Sequence, residues 1–409
     1  MSQASKDHSQ RAHALLSASK AERWLNCTPS ARLEEAWIKK HGRQSSVYAD
    51  EGTLAHEIAE VLLSEFAGAI PPDQAFLDVS ALKSNPLYSE EMDGYVDTYV
   101  SYVKNRTSEM AEQSGLTIKQ VLKVESLSDF SEAVPEGTGI ADAAMFDGST
   151  LEIADLKYGK GVRVEAEENP QLQLYAWGIL QAMRLLYEVK EIRMTIVQPR
   201  LDHIVTWTTT PEELDNWIAA HVVPKAKLAW KGKGEATPGE HCKFCVVKPK
   251  CKAFANLATK IAQQEFAPGE PKSTITDEEL SELSRSFSLI EDWISAARTY
   301  MLQKALEGKS WPGMKLVESR TMRKWTNEPE IRKKLIQEGY KESEFSVTKL
   351  KGIGDIERLL GKKEFERVLS DFVEKPEGSP QLAPESDKRE AIRPSGVSTA
   401  VFDFDELMQ

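Results

Sequence analysis

The sequence predicts an α/β protein in which helices open the chain, a sheet follows, and helices close it. Three observations carry this expectation. Apolar residues recur at helical spacing from about residue 17 to 113. The period then changes to alternation between 118 and 157 and again between 192 and 208, with a helical stretch between the two runs. Finally, 409 residues with 41% hydrophobic and 28% charged side chains match a soluble globular composition with ample length for a core.

Residues 17–40 read as a helix that Ser17 or Ser19 can cap, with Leu25, Leu33 and Trp37 at helical spacing. A second runs from about Gly52 to Phe66 on the apolar face of Ile58, Val61, Leu62, Leu63 and Phe66, and Gly68 and Pro71-Pro72 lie beyond its end. A third spans Glu90 to Gln113 on a stripe of Tyr95, Val96, Tyr99, Tyr102 and Val103. Strands follow at Ile118–Leu127, Gly139–Phe146 and Thr150–Lys157, with Asp147-Gly148 as the hairpin turn between the last two. A helix over Pro170–Tyr187, strands at Ile192–Gln198 and Ile204–Thr208, and a helix from Pro211 towards Trp230 complete a core of about 120 residues.

The chain accordingly divides into a flexible N-terminus (1–16), a core-bearing domain (17–257), a mostly helical domain (258–373) and a Pro-rich linker with an acidic, aromatic tail (374–409). The third part carries a long helix from Thr276 to Glu307, a short hairpin around Trp311 to Trp325, and helices near Glu328–Glu338 and Ile356–Phe372. The closing Val-Phe-Asp-Phe-Asp-Glu-Leu reads equally as a partner-docking peptide or as a frayed end.

Lys and Arg number 52 against 64 acidic residues, a net charge of -12, which argues against a protein that coats nucleic acid. A DNA-processing enzyme needs only a local basic groove, and its metal site must be acidic, so that class stays open. No apolar run reaches the length of a bilayer span and no apolar leader opens the chain, so a reducing cytoplasm is expected and disulfides are not.

The stretch Gly-Thr-Gly-Ile-Ala-Asp to Asp-Leu-Lys-Tyr-Gly-Lys-Gly (137–161) is the most informative. Asp155 and Lys157 lie two apart on a strand and leave one face, after Leu151 and Ile153, so that face exits the core at its end. Asp142 on the preceding strand can stand opposite or diagonal to them. Two carboxylates and an ammonium would then meet at one sheet edge. Phosphodiester hydrolysis needs such parts: hard oxygen ligands for a divalent cation that activates water, and a cation near the attacked phosphate. A structural ion pair at a strand end explains the spacing as well.

Four motifs in order bear on that choice: Gly139 to Asp142, Asp155-Leu156-Lys157, Gln171-Leu172-Gln173-Leu174-Tyr175, and upstream Gly52-Thr53-Leu54-Ala55-His56-Glu57. The set resembles the RecB and AddB nuclease branch of the PD-(D/E)XK superfamily. The resemblance implies a restriction-endonuclease-like core, His56, Asp142 and Asp155 as ligands of Mg²⁺ or Mn²⁺, and Lys157, Gln171 and Tyr175 as further catalytic-site residues. Gln171 and Tyr175 are four apart and share a helix face. Glu125 is a further acid within reach, and Lys157, Lys160 and Arg163 around Gly159 and Gly161 read as a phosphate-contacting loop or as a solvated turn.

Cys27 stands alone, whereas Cys242, Cys245 and Cys251 cluster as Cys-x2-Cys-x5-Cys. Soft thiolates select iron-sulfur or zinc, and His241 offers a substitute zinc ligand; spacing alone does not separate the two. The arrangement of one cysteine before the core and three after it resembles AddB-type and CRISPR-associated nucleases, which implies a four-iron four-sulfur cluster on Cys27, Cys242, Cys245 and Cys251 that clasps the two ends. Between Lys225 and Lys252 eight lysines face only Glu235 and Glu240, a patch suited to DNA or a solvated loop.

The opening Leu-Ser-Ala-Ser-Lys-Ala-Glu-Arg-Trp-Leu-Asn-Cys, Trp311-Pro-Gly and the late Lys-Pro-Glu-Gly-Ser-Pro also resemble a family carried by bacteriophages and prophages. Together these resemblances imply a Mg²⁺- or Mn²⁺-dependent deoxyribonuclease, an exonuclease serving phage DNA replication or recombination in the host cytoplasm. Its partner is DNA, with phage or host replication proteins reached through the tail. Two competing readings are a nuclease-fold DNA-binding module without catalysis and a zinc-stapled scaffold.

Overall fold

The computed structural model describes residues 14–42, 47–262, 277–309 and 311–314. The chain divides into two compact units, 1–309 and 310–409, and the account below concerns the first. The hairpin expected at Trp311–Trp325, the later helices, the linker and the acidic tail lie largely or wholly outside the described residues.

The single helix expected over 17–40 is two. Helix α1 (Ala21–Asn26) stops at Cys27, and α2 (Ser30–His41) restarts after Pro29, whose ring cannot donate to a continuous ladder. Gly42 ends α2 with φ 77°, the left-handed region that glycine enters freely. Helix α3 (Val47–Phe66) begins five residues before the expected Gly52. The sequence signals no helix at α4 (Pro72–Leu82), since Pro71-Pro72 reads as lying beyond a helix end; Pro72 instead occupies the first turn, where a missing N–H costs nothing. Helix α5 (Glu90–Ser114) matches its apolar stripe and closes on left-handed Gly115.

The next strand starts late. Residues Ile118–Val121 form a helical turn, α6, under a Thr117–Gln120 capping box. Strand β1 (Leu122–Asp129) follows, then β2 (Thr138–Phe146) and β3 (Thr150–Leu156). Helix α7 (Pro170–Met183) crosses over to β4 (Glu191–Gln198), which turns back into β5 (His203–Thr209). The sheet order is β1-β2-β3-β4-β5, parallel only between β3 and β4, the pair that α7 joins. The architecture is therefore mixed α/β, as expected.

Each face of the sheet carries its own core. Leu151 and Ile153 pack with α7, α1 and the helices α8 (Pro211–Trp217) and α9 (Val223–Trp230); Ala154 and Leu156 point the other way and pack with α3 and α5. A π turn at Ile218–Val222 links α8 and α9 beside Pro224, which lacks the N–H a regular turn would use. Gly178 allows α7 to lie against β1: a Cβ there would stand 2.2 Å from Ser128 Oγ, and that hydroxyl donates to the carbonyls of Leu174 and Tyr175.

After α10 (Lys252–Ala262) and α11 (Asp277–Ser284), α12 (Phe287–Leu306) packs back within the first unit. Lys248 Nζ meets Asp292 Oδ2 at 3.4 Å, and Phe254 stacks on Trp293 with centroids 6.5 Å apart. The long helix expected from Thr276 to Glu307 is thus broken near Arg285, and its second half belongs to the same compact unit as the sheet. No helix of the described residues is long and apolar enough to cross a membrane.

Candidate functional site

Strands β2 and β3 pair as far as Ala143–Ala154 and then part. Beyond that point the N–H of Leu156 donates not to a backbone carbonyl of β2 but to the side chain of Asp142, at 2.8 Å from Oδ2. β3 keeps its parallel partner β4, with Lys157 N donating to Val197 O at 2.9 Å. The parting opens a notch whose walls are the ends of β2 and β3. The Asp142 carboxylate fills the position of a lost ladder acceptor.

Into this notch come all six residues expected there. His56, on α3, places Nδ1 3.3 Å from Asp142 Oδ2. Lys157 Nζ lies 2.8 Å from Asp155 Oδ2 and donates to Gln171 Oε1 at 3.0 Å. The Gln171 amide in turn donates to Asp155 Oδ1 at 3.1 Å and to the Tyr175 hydroxyl at 3.2 Å. The α7 end that carries Gln171 is fixed by Asn169, whose side chain accepts from the N–H of Gln171 and Leu172.

Gly139 has a steric reason. A Cβ there would stand 2.6 Å from Tyr175 Cε1, so only glycine lets the tyrosine ring lie over β2 and bring its hydroxyl to Gln171.

Burial makes these charges interdependent. Burial alone would lower the His56 imidazole, but Asp142, then Asp155, overcome this and hold it up at about 9. Burial pushes Asp142 up, yet His56 and the Leu156 N–H outweigh it and leave the carboxyl below its usual range. Asp155 ends above its usual range, because burial and the Asp142 charge together exceed the help from Lys157. Asp155 Oδ2 is buried and, despite the 2.8 Å approach of Lys157 Nζ, receives no hydrogen bond of proper direction. Tyr175 and Tyr99 are both raised by burial first and then by Asp142, Asp155 and Glu125.

Glu125 therefore belongs to the same field. It lies on β1 opposite Asp142, in a left-handed conformation (φ 49°) that a glutamate adopts at a cost of about 1–3 kcal/mol. The inward and outward alternation of β2 also breaks here, since Ala141 joins the α7 core and Ala143 the α3/α5 core. Such irregularity re-aims side chains at a strand. Nothing in the spacing of the sequence signals it.

The four cysteines line one pocket, with Arg23, Ser30 and Phe254 also in its wall. Cys27 reaches it because the chain breaks between α1 and α2; the others arrive on the loop after α9. Burial raises the thiols of Cys27, Cys242 and Cys245, the last to about 12 with Glu34 adding to the effect. Glu34 also accepts the N–H of Val246 at 3.3 Å and pairs with Arg23, which ties α2 to the cysteine loop. His241 also lines the pocket, with Nε2 2.8 Å from the carbonyl of Thr237. Four soft donors around one pocket fit a thiolate-bound iron-sulfur group or zinc. As the side chains stand, among the described residues no group of three or more His, Cys, Asp or Glu is gathered tightly enough to hold a metal ion.

Residues 13–390 match the family described as "Protein of unknown function (DUF2800)", and the chain belongs to that family. Among solved structures, one titled "Crystal structure of SSO0001" is similar at 14% sequence identity, over 54% of this chain and 95% of that chain, with a TM-score of 0.23.

Proposed function

For this DUF2800 chain we propose a divalent-metal-dependent deoxyribonuclease of the PD-(D/E)XK superfamily, RecB- and AddB-like, with an iron-sulfur clasp at the four cysteines. The carrying observation is the notch itself: His56, Asp142, Asp155, Lys157, Gln171 and Tyr175 come from four elements, with His56 paired to Asp142, with Asp155, Lys157 and Tyr175 gathered around Gln171, and with Asp142 tied to β3 through the Leu156 N–H. Asp155 Oδ2 is a buried anionic oxygen short of a donor, which suits a cation ligand.

His56, Asp142 and Asp155 would hold Mg²⁺ or Mn²⁺, a mixed nitrogen and oxygen set that Mn²⁺ accepts well. When bound, the ion would supply Lewis-acid activation of water and neutralise charge developing on the phosphate. The residues do the rest. Lys157, steered by Gln171, presents an ammonium to the attacked phosphate. Gln171 holds Asp155 by one oxygen so that the other faces the notch. Tyr175, kept protonated by burial, remains a hydrogen-bond donor.

The cysteine loop and α1/α2 lie more than two hundred residues apart in sequence, so closing them on one group removes much open-chain entropy. That supports a structural role for the clasp. An exonuclease in phage DNA replication or recombination, acting in the host cytoplasm, is the form of the activity we favour. The test is anaerobic purification with metal analysis, then digestion of end-labelled single-stranded and duplex DNA with Mg²⁺ or Mn²⁺. Cleavage that vanishes in Asp155→Ala is expected; a protein that cleaves neither substrate with either ion would end the proposal.

A further inference from the structure

Three residues at the β4–β5 turn reach across to the segment that follows Lys157. Gln198, fully buried, donates from one amide nitrogen to the carbonyls of Gly159 (2.6 Å) and Val162 (2.8 Å), while its oxygen accepts the N–H of Val164 at 3.1 Å. His203, its cross-strand partner, has Nε2 3.0 Å from the Val164 carbonyl and 3.4 Å from Arg163 Nε. Arg200 lies over the Tyr158 ring at 4.9 Å and pairs with Glu51 of α3 at 3.2 Å. The segment 158–164 is therefore pinned at both ends and from beneath.

Its upper surface is open. Gly159, Lys160, Gly161 and Arg163 are exposed, and a Cβ on either glycine would meet nothing within 4 Å. Neither glycine has the positive φ that would demand it. Packing and backbone conformation thus leave both glycines unexplained in a loop that is otherwise held tightly. Among the described residues, nothing accepts from the backbone N–H groups of Gly159 to Gly161. Arg163 pairs with Glu165 at 3.4 Å and its Nε also lies 3.4 Å from His203 Nε2; the arginine and the glutamate are solvent-reached, and such a pair is weak enough to yield to a stronger anion. Bare backbone, N–H groups without an acceptor and two cations on a rigid support are the ingredients of a phosphate seat.

We propose that the Gly159–Arg163 loop is a seat for the backbone phosphates of DNA, and that Gln198 is the residue that positions it. The seat rests on the nuclease reading of the adjacent notch and adds to it the place where the strand leaves the cleavage point. Lys160 and Arg163 make the phosphate contacts, the glycines allow close approach, and Gln198 keeps the loop in register with Lys157.

The test is binding of a fluorescein-labelled single strand and its duplex to the full chain without divalent metal, across a salt series, followed by steady-state cleavage with Mn²⁺. Lys160→Ala with Arg163→Ala is expected to lower the slope of log affinity against log salt by about 1–2, the release expected for one or two phosphates. The loss should appear in KM more than in kcat. Gln198→Met keeps every charge; it should raise KM in the same direction and speed hydrogen exchange over 159–164. A wild-type protein that binds and cleaves DNA, with a salt slope unchanged in the double variant, overturns the seat and leaves the nuclease reading standing. A wild type that neither binds nor cleaves overturns both. The double variant replaces exposed side chains only, so a folding failure of Gln198→Met does not decide the matter.

Discussion

Two buried acids sit three residues apart on β3 and face opposite ways. Glu152, on the α5 side, receives the Tyr102 hydroxyl and Thr195 on one oxygen and the Nε groups of Arg106 and Arg193 on the other. Every lone-pair direction has a donor from the protein. Asp155, towards α7, has the Gln171 amide on one oxygen and, on the other, an ammonium that approaches without proper hydrogen-bond direction. The first acid is a finished structural network. The second is held ready but incomplete, and incompleteness at a buried charge is costly unless another cation completes it. The contrast separates a stability element from a working one on the same strand.

The largest expected effect falls on the incomplete acid. Asp155→Ala should lower the cleavage rate by about 10³ or more, the order associated with losing one group that stabilises transition-state charge. Its effect on unfolding should be small, because the buried charge removed was itself poorly satisfied. Next comes Glu152→Ala. Breaking a buried ion network costs about 3–5 kcal/mol, and the lower end applies because Arg106 and Arg193 both reach solvent. Urea unfolding reads this directly, and residual folded protein should cleave at the wild-type rate. If Asp155→Ala were the destabilising change and Glu152→Ala the inactivating one, the contrast would be reversed and with it the placement of the site.

Gly139→Ala tests the packing that serves Asp155. The added methyl must displace the Tyr175 ring from 2.6 Å, an overpacking cost of about 1–3 kcal/mol. Because Tyr175 and Asp155 share the Gln171 amide, the rate should fall together with the stability. A variant as stable and as active as the wild type would show that the ring moves freely.

Much of this was legible in the residues and some was not. Asp155 and Lys157 share a face by strand period alone, and Gln171 and Tyr175 share one by helix period, so those four could be paired before any fold was known. The approach of His56 to Asp142 depends on how α3 packs across the sheet, a long-range fact that only the motif order suggested. Glu125 was visible as an acid, but its left-handed backbone and the broken alternation of β2 come from strand pairing and leave no local signal. The boundaries failed where punctuation was ambiguous. Pro72 starts a helix where a stop was expected, and Pro29 breaks one that looked continuous. Gln198 carried no motif, since its role lies in three backbone partners 34 to 39 residues away.

The smallest effect is a proton. His56 is held up at about 9 in the metal-free protein against an ordinary value of 6.5. A folded value above the unfolded one means that the His56–Asp142 pair stabilises fully below about pH 6.5 and that this contribution is lost as pH rises through about 9. Asp142, held below its usual range, adds stability that is lost in the other direction, as acid protonates the carboxyl. The metal-free fold should therefore be best supported in weakly acid to neutral solution and loosen towards pH 9. A divalent cation needs the neutral imidazole, so its binding at neutral pH must expel the proton and its affinity must rise with pH up to that value. Titration calorimetry with Mn²⁺ in two buffers of different ionisation enthalpy counts the protons released. The count should be close to one in the wild type and should drop by that amount in His56→Ala. Equal counts in the two proteins would mean that the imidazole is no ligand, and that Asp142 in the notch is balanced by His56 as Glu152 is by its arginines.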